Sequence, residues 1–128
     1  MQTPFAESRI WRKRLGGGMR QIGILAAAGL IALEDGPARL HDDHTNARRL
    51  AEGLVQIKGI SIDVDKVVTN IVIFDIAAAG KTATEITEAL AANGILAIGF
   101  GTQIRMVTHL DVSADNIETT IESLKTVL

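Results

Sequence analysis

The stretch NIVIFDIAAAGKTATEITEALAANGILAIGFGTQIRMVTHL, residues 70–110, decides the fold class. It opens on Asn70 to Ile76, a β-branched run bounded by turn-forming residues, which reads as a strand. Thr82-Ala83-Thr84-Glu85 then has the spacing of a capping box, in which a hydroxyl and a carboxylate satisfy each other's end of the first helical turn, and Asn93-Gly94 supplies the stop. Two further strands follow at Ile95 to Ile98 and Ile104 to Leu110. Upstream, Ile60 to Val64 has strand character too. Strands arriving in sequential pairs around one helix predict a small, mostly antiparallel sheet with helices on one face, an α+β layer.

Outward from that block the pattern becomes helical. Ser113 opens a last helix, with Asp115 in its first turn, that runs to Leu128. Gly36-Pro37 starts another, since proline is well tolerated at the first helical position, and Ala38 to Ile57 shows an amphipathic period through Leu40, Ala47, Leu50, Leu54 and Ile57. Residues Phe5 to Leu15 form a first helix. A second begins near Met19, with Arg20 in its first turn, and stays apolar nearly all round to Leu33. A helix with no polar face needs cover on several sides, which places it in an interface. The expected division is a helical segment over 1–36 and an α+β domain over 37–128.

The 128 residues suffice for a core of their own, and with 3% aromatics that core is built from Ile, Leu, Val and Ala. No cysteine is present, so disulfide and thiol chemistry are excluded, in keeping with a reducing, cytoplasmic setting. The net charge of −2 hides an asymmetry. Residues 1–20 hold Arg9, Arg12, Lys13, Arg14 and Arg20 against Glu7, a local +4 that leaves −6 on the rest. No zinc pattern or recognition helix accompanies the basic arm, which argues against nucleic acid. The apolar stretch Ile22 to Leu33 is too short for the roughly 18 to 20 residues of a membrane span.

Two places carry anion-binding chemistry. In Lys13-Arg14-Leu15-Gly16-Gly17-Gly18-Met19-Arg20-Gln21, glycines end one helix and cations flank the start of the next, where unpaired N–H groups already attract negative charge. That suits a phosphate. A plain hinge with a solvated basic patch is the alternative reading, and a Walker loop is excluded by the missing Gly-Lys-Ser/Thr end. The second place is Arg105, which alternation puts on one strand face with Val107 and His109, opposite Met106, Thr108 and Leu110. A rigidly mounted guanidinium fits a carboxylate; an exposed arginine on an outer face is the alternative. His41 and His44 have metal-ligand spacing, but two ligands do not make a site, and no metal is expected. Among Lys13, Lys58, Lys66, Lys81 and Lys125 none is placed to act as a nucleophile.

The residues together carry a resemblance. Arg12-Lys13-Arg14-Leu15-Gly16-Gly17-Gly18-Met19-Arg20-Gln21 resembles the glycine-rich signature of low-specificity L-threonine aldolases, pyridoxal-phosphate enzymes of fold type I within the beta-eliminating lyases. Ala26-Ala27-Ala28-Gly29, Asp43-His44-Thr45-Asn46-Ala47-Arg48, Thr69-Asn70-Ile71-Val72 and Arg105 to Val112 are similar in register. The resemblance implies the C-terminal portion of such an enzyme, including its small domain. Lys13 and Arg20 would then approach the cofactor phosphate of a neighbouring subunit, and Arg105 the substrate α-carboxylate. The lysine that anchors the cofactor, with the other catalytic groups, lies upstream in that family. This chain alone is therefore expected to be inactive in cleaving threonine to glycine and acetaldehyde, and to need self-association or an N-terminal catalytic segment. A non-catalytic assembly module or remnant is the other class of reading.

Overall fold

The computed structural model describes residues 4–128, so the first three residues of the helical segment lie outside the described residues. The chain divides into two compact units that meet in sequence at Pro37 and Ala38. The first holds α1 (Pro4–Arg14) and α2 (Gly23–Glu34). Neither helix has a buried residue. Helix α2 starts four residues later than Met19, because Gln21 takes a positive φ of 48° and the chain turns through residues 20–22. Arg20 accordingly sits in the turn before α2 and not in its first helical turn.

The second unit contains most of α3 (Gly36–Leu54), then β1 (Ile71–Asp75), α4 (Ala83–Ala92), β2 (Ile98–Phe100), β3 (Gln103–Val107) and α5 (Ala114–Val127). Both foreseen helix starts carry capping boxes. Glu85 N–H donates to Thr82 Oγ1 (3.2 Å) while Thr82 N–H donates to Glu85 Oε2 (2.7 Å). Ser113 and Asn116 exchange the equivalent pair at α5, at 3.2 and 2.9 Å. The sheet is antiparallel with strand order β1-β3-β2, and β3 is central. Val72, Phe74, Ile104 and Met106 on its inner face join Leu50 and Leu54 of α3, Ile86 and Leu90 of α4, and Ile117, Ile121 and Leu124 of α5 in one core. Helix α5 packs tightly on α3 at Gly53, where a Cβ would meet Ile121 Cγ1 at 2.7 Å.

Three strand expectations need correction. Ile60 to Val64 is not a strand: only Ser61 pairs, with Asp75 (2.8 and 2.9 Å), after which the Asp63 carboxylate accepts Asp65 N–H and turns Val64–Lys66 into a 3₁₀ helix. Ile95 to Ile98 pairs only from Ile98 onward, because Ile95 N–H is drawn back to the Leu90 carbonyl (3.0 Å) at the end of α4. The strand expected at Ile104 to Leu110 runs Gln103–Val107, so His109 and Leu110 leave the sheet.

Candidate functional site

Lys13 lies in the last turn of α1 and Arg20 occupies the turn before α2, so the two cations bracket the glycine loop from its two ends. The loop is built by local hydrogen bonds: Gly16 N–H to the Lys13 carbonyl (3.2 Å) and Gly17 N–H to the Arg12 carbonyl (2.8 Å). Gly16 has φ of 81°, the left-handed region that glycine enters without steric cost. At Gly17 a Cβ would stand 3.2 Å from the Arg12 carbonyl oxygen, whereas at Gly18 it would make ordinary contact with the Lys13 stem at 3.5–3.6 Å. Two of the three glycines therefore have their own reason: Gly16 for conformation and Gly17 for close passage of the basic helix end. Among the described residues Gly18 and Met19 N–H have no hydrogen-bond partner, and Lys13 and Arg20 form no ion pair.

Arg105 belongs to the second unit. It stands on the outer face of β3, opposite Ile73 on β1 and Ile98 on β2, with Ile71, Val107 and Phe100 also on that face and all partly exposed. Among the described residues it too has no ion pair. The nearest outer-face carboxylate, Asp75 at the far end of β1, is engaged elsewhere: it accepts from Thr102 Oγ1 (2.6 Å) and Ala77 N–H (2.8 Å), and these bonds hold its pKa below the usual 3.8. An aliphatic surface around one unclaimed guanidinium is an environment in which a bound carboxylate loses competing water.

The other candidates separate from these. His109 is exposed beyond the end of β3, where Asp111 N–H donates to its Nδ1 (3.3 Å). Thr45 Oγ1 lies 3.5 Å from His41 Nε2, and among the described residues no group of three His, Cys, Asp or Glu side chains converges to hold a metal. A cleft of about 400 Å³ beside the end of β3 is lined by Ile95, Thr108, His109 and Asn116, and Arg105 is not part of it. Among the described residues no helix is long and apolar enough to cross a membrane.

The beta-eliminating lyase family model matches residues 2–79, more than half of the chain. The chain belongs to the beta-eliminating lyase family. Within that family it is 41% identical over 122 residues to low-specificity L-threonine aldolase 1 of Arabidopsis thaliana, covering 94% of this chain and 34% of that protein. It is 42% identical over 107 residues to the low specificity L-threonine aldolase of Escherichia coli strain K12, covering 84% of this chain and 30% of that protein. The chain thus spans about a third of the length of these relatives. A solved structure described as MppP soaked with the product 2-ketoarginine superposes with a TM-score of 0.57 at 19% identity, over 76% of this chain and 30% of that one, a likeness of fold.

Sequence reasoning found the cations and the loop, but it missed the hydrogen-bonded polar side chains at the end of β3. Thr108 Oγ1 donates to the Asp43 carbonyl (2.7 Å), Asn70 Nδ2 to the Thr108 carbonyl (2.8 Å), and Asn46 Nδ2 to the Val112 carbonyl (3.0 Å). The only signal for them was that each lies in one of the strings similar to the aldolases.

Proposed function

We propose that this chain is the C-terminal portion of a pyridoxal-phosphate-dependent, threonine-aldolase-like lyase, with Lys13 and Arg20 contributing to the cofactor phosphate and Arg105 to the substrate carboxylate. The observation that carries the reading is the identity of 41% and 42% to threonine aldolases over nearly the whole chain. The residues present fit the phosphate end of that cofactor: an ammonium and a guanidinium without ion-pair partners among the described residues flank a loop in which Gly18 and Met19 N–H have no acceptor among the described residues. When bound, pyridoxal phosphate would supply the electron sink for cleavage of the bond between Cα and Cβ.

In this reading the two units divide the labour. Lys13 and Arg20 hold a dianion, a retention function that does not change during the reaction. Arg105 grips a carboxylate bidentately from a strand, which sets the orientation of the amino acid before any bond breaks. The lysine that anchors the cofactor comes from a further polypeptide segment, and a second copy covers α2, where Ile24 is 82% and Leu33 75% exposed. That exposed apolar helix also favours the second reading, an assembly module without catalysis.

A titration of the ¹⁵N-labelled chain with pyridoxal phosphate, and in parallel with pyridoxal, tests the phosphate assignment. Shifts at Gly16–Gly18, Lys13 and Arg20 with the phosphorylated compound alone are expected, and Arg20→Ala should abolish them. Equal response to both compounds, or none to either, would leave the assembly reading standing.

A further inference from the structure

Three of the strings similar to the aldolases, far apart in the chain, meet at one corner of the second unit. Asp43 and Asn46 lie on α3, Asn70 immediately precedes β1, and Thr108 to Val112 follows β3. Thr108 is 2% exposed. Its N–H and carbonyl continue the sheet ladder one step beyond the strand, bonding the Asn70 carbonyl (2.9 Å) and Asn70 Nδ2 (2.8 Å). Its hydroxyl donates inward to the Asp43 carbonyl on α3 (2.7 Å). Four residues on, Asn46 Nδ2 holds the Val112 carbonyl (3.0 Å).

What these bonds secure follows from the register. Arg105 is the last β3 residue with a strand partner on both sides, Ile73 and Ile98. Met106 and Val107 pair with β1 alone, because β2 begins opposite Arg105. Alternation along β3 turns the Val107 N–H and carbonyl toward the side where no strand lies. A strand paired on one side frays readily, and its pleat sets where the Arg105 side chain leaves the sheet.

We propose that Thr108, Asn70 and Asn46 are positioning residues for Arg105: they tie the outgoing end of β3 to α3 and β1 and so hold the guanidinium at one height and lean on the outer face. The proposal rests on the reading of Arg105 as the carboxylate contact. Where β2 pairing is missing, the latch secures the strand end from the β1 and α3 sides with side-chain hydrogen bonds, one of them buried. It acts through the strand, since none of its members shares the outer face with Arg105.

The test compares Thr108→Val, which keeps shape and removes the hydroxyl, with Thr108→Ser, which keeps the donor. Amide hydrogen exchange on the full chain should rise about tenfold at Met106 and Thr108 in Thr108→Val, the scale of one net hydrogen bond, with Ile121 and Leu124 in α5 unchanged, and Thr108→Ser should restore protection. In the enzyme completed with the lysine-bearing segment, Thr108→Val should raise the KM for threonine and leave pyridoxal-phosphate affinity unchanged. A uniform rise in exchange across the unit, no change at 106–108, failure of serine to rescue, or an unaltered KM would overturn the proposal. If Thr108→Val does not fold, Asn70→Ala carries the same readouts. Should Arg105→Ala itself leave KM unchanged, the carboxylate reading fails, while the exchange result still judges the latch.

Discussion

Arg105→Ala and Arg20→Ala should break the proposed enzyme in different ways, and the structure sets the size of each effect. Arg105 forms no ion pair among the described residues, so removing it from the outer face breaks none and gives up only the packing of its stem beside Ile73 and Ile98. Stability of the isolated chain should stay within about 0.5 kcal/mol, a melting shift of no more than roughly 4 °C for a unit of this size. The functional loss is then attributable to the ligand. A hydrogen bond to a charged group is worth about 1.5–3 kcal/mol, so kcat/KM for threonine should fall roughly ten- to a hundredfold or more, with cofactor affinity preserved. Arg20→Ala should do the reverse, weakening cofactor retention by a similar factor while holoenzyme turns over with near-normal KM. The assay is cofactor titration beside steady-state kinetics on the completed enzyme, with thermal melts of the isolated chain as the control. Cofactor loss in Arg105→Ala with unchanged substrate kinetics, or an Arg20→Ala variant that alters neither quantity, would refute the reasoning and return the glycine loop to a plain hinge.

Incubated alone with pyridoxal phosphate, the chain should form no borohydride-trapped lysine adduct; mass spectrometry finding one specific modified lysine would contradict this. The chain should self-associate through α2, and sedimentation should show Ile24→Asp with Leu30→Asp shifting it to monomer, whereas a compact wild-type monomer with no dye-binding surface would count against it. Gly53→Ala should destabilise the second unit by up to roughly 2 kcal/mol, because overpacking at Ile121 costs about 1–3 kcal/mol and helix propensity returns about 1. Glu85, Asp63 and Asp75 all have lowered pKa values, through the Thr82 N–H, the Lys66 ammonium and the Thr102 hydroxyl respectively. Their stabilisation is therefore present above their ordinary values of 4.5 and 3.8 and is lost as pH falls below them; urea midpoints that stay flat from pH 5 down to pH 3 would be the wrong result.

The elements that sequence reading located correctly are those whose cause is local. The Thr82 and Ser113 caps, the Asn93-Gly94 stop and the glycine loop each depend on residues within a few positions of one another. β1 is legible for a related reason, since its β-branched content is carried by its own side chains. Where the reading slipped, a single backbone angle or a short-range hydrogen bond that residue type does not announce decided the matter: Gln21 delays α2, Asp63 curls the segment after Ser61, and Leu90 holds Ile95 out of the sheet. Lys13, Arg20 and Arg105 were visible as chemistry, but that Arg105 has Ile73 and Ile98 beside it depends on strand register.

By itself, then, the sequence determined the helices, the cations flanking the glycine loop and the kinship with the aldolases, all of which are properties of residue type and short spacing. The tertiary structure alone decided that β3 lies between β1 and β2, which face of it is left open, and that Thr108 meets Asn70 across 38 positions and Asp43 across 65. Such pairings carry no local signal. They are selected because burying Val72, Phe74, Ile104 and Met106 against the helices permits one register, and every hydrogen bond at the strand ends follows from that choice.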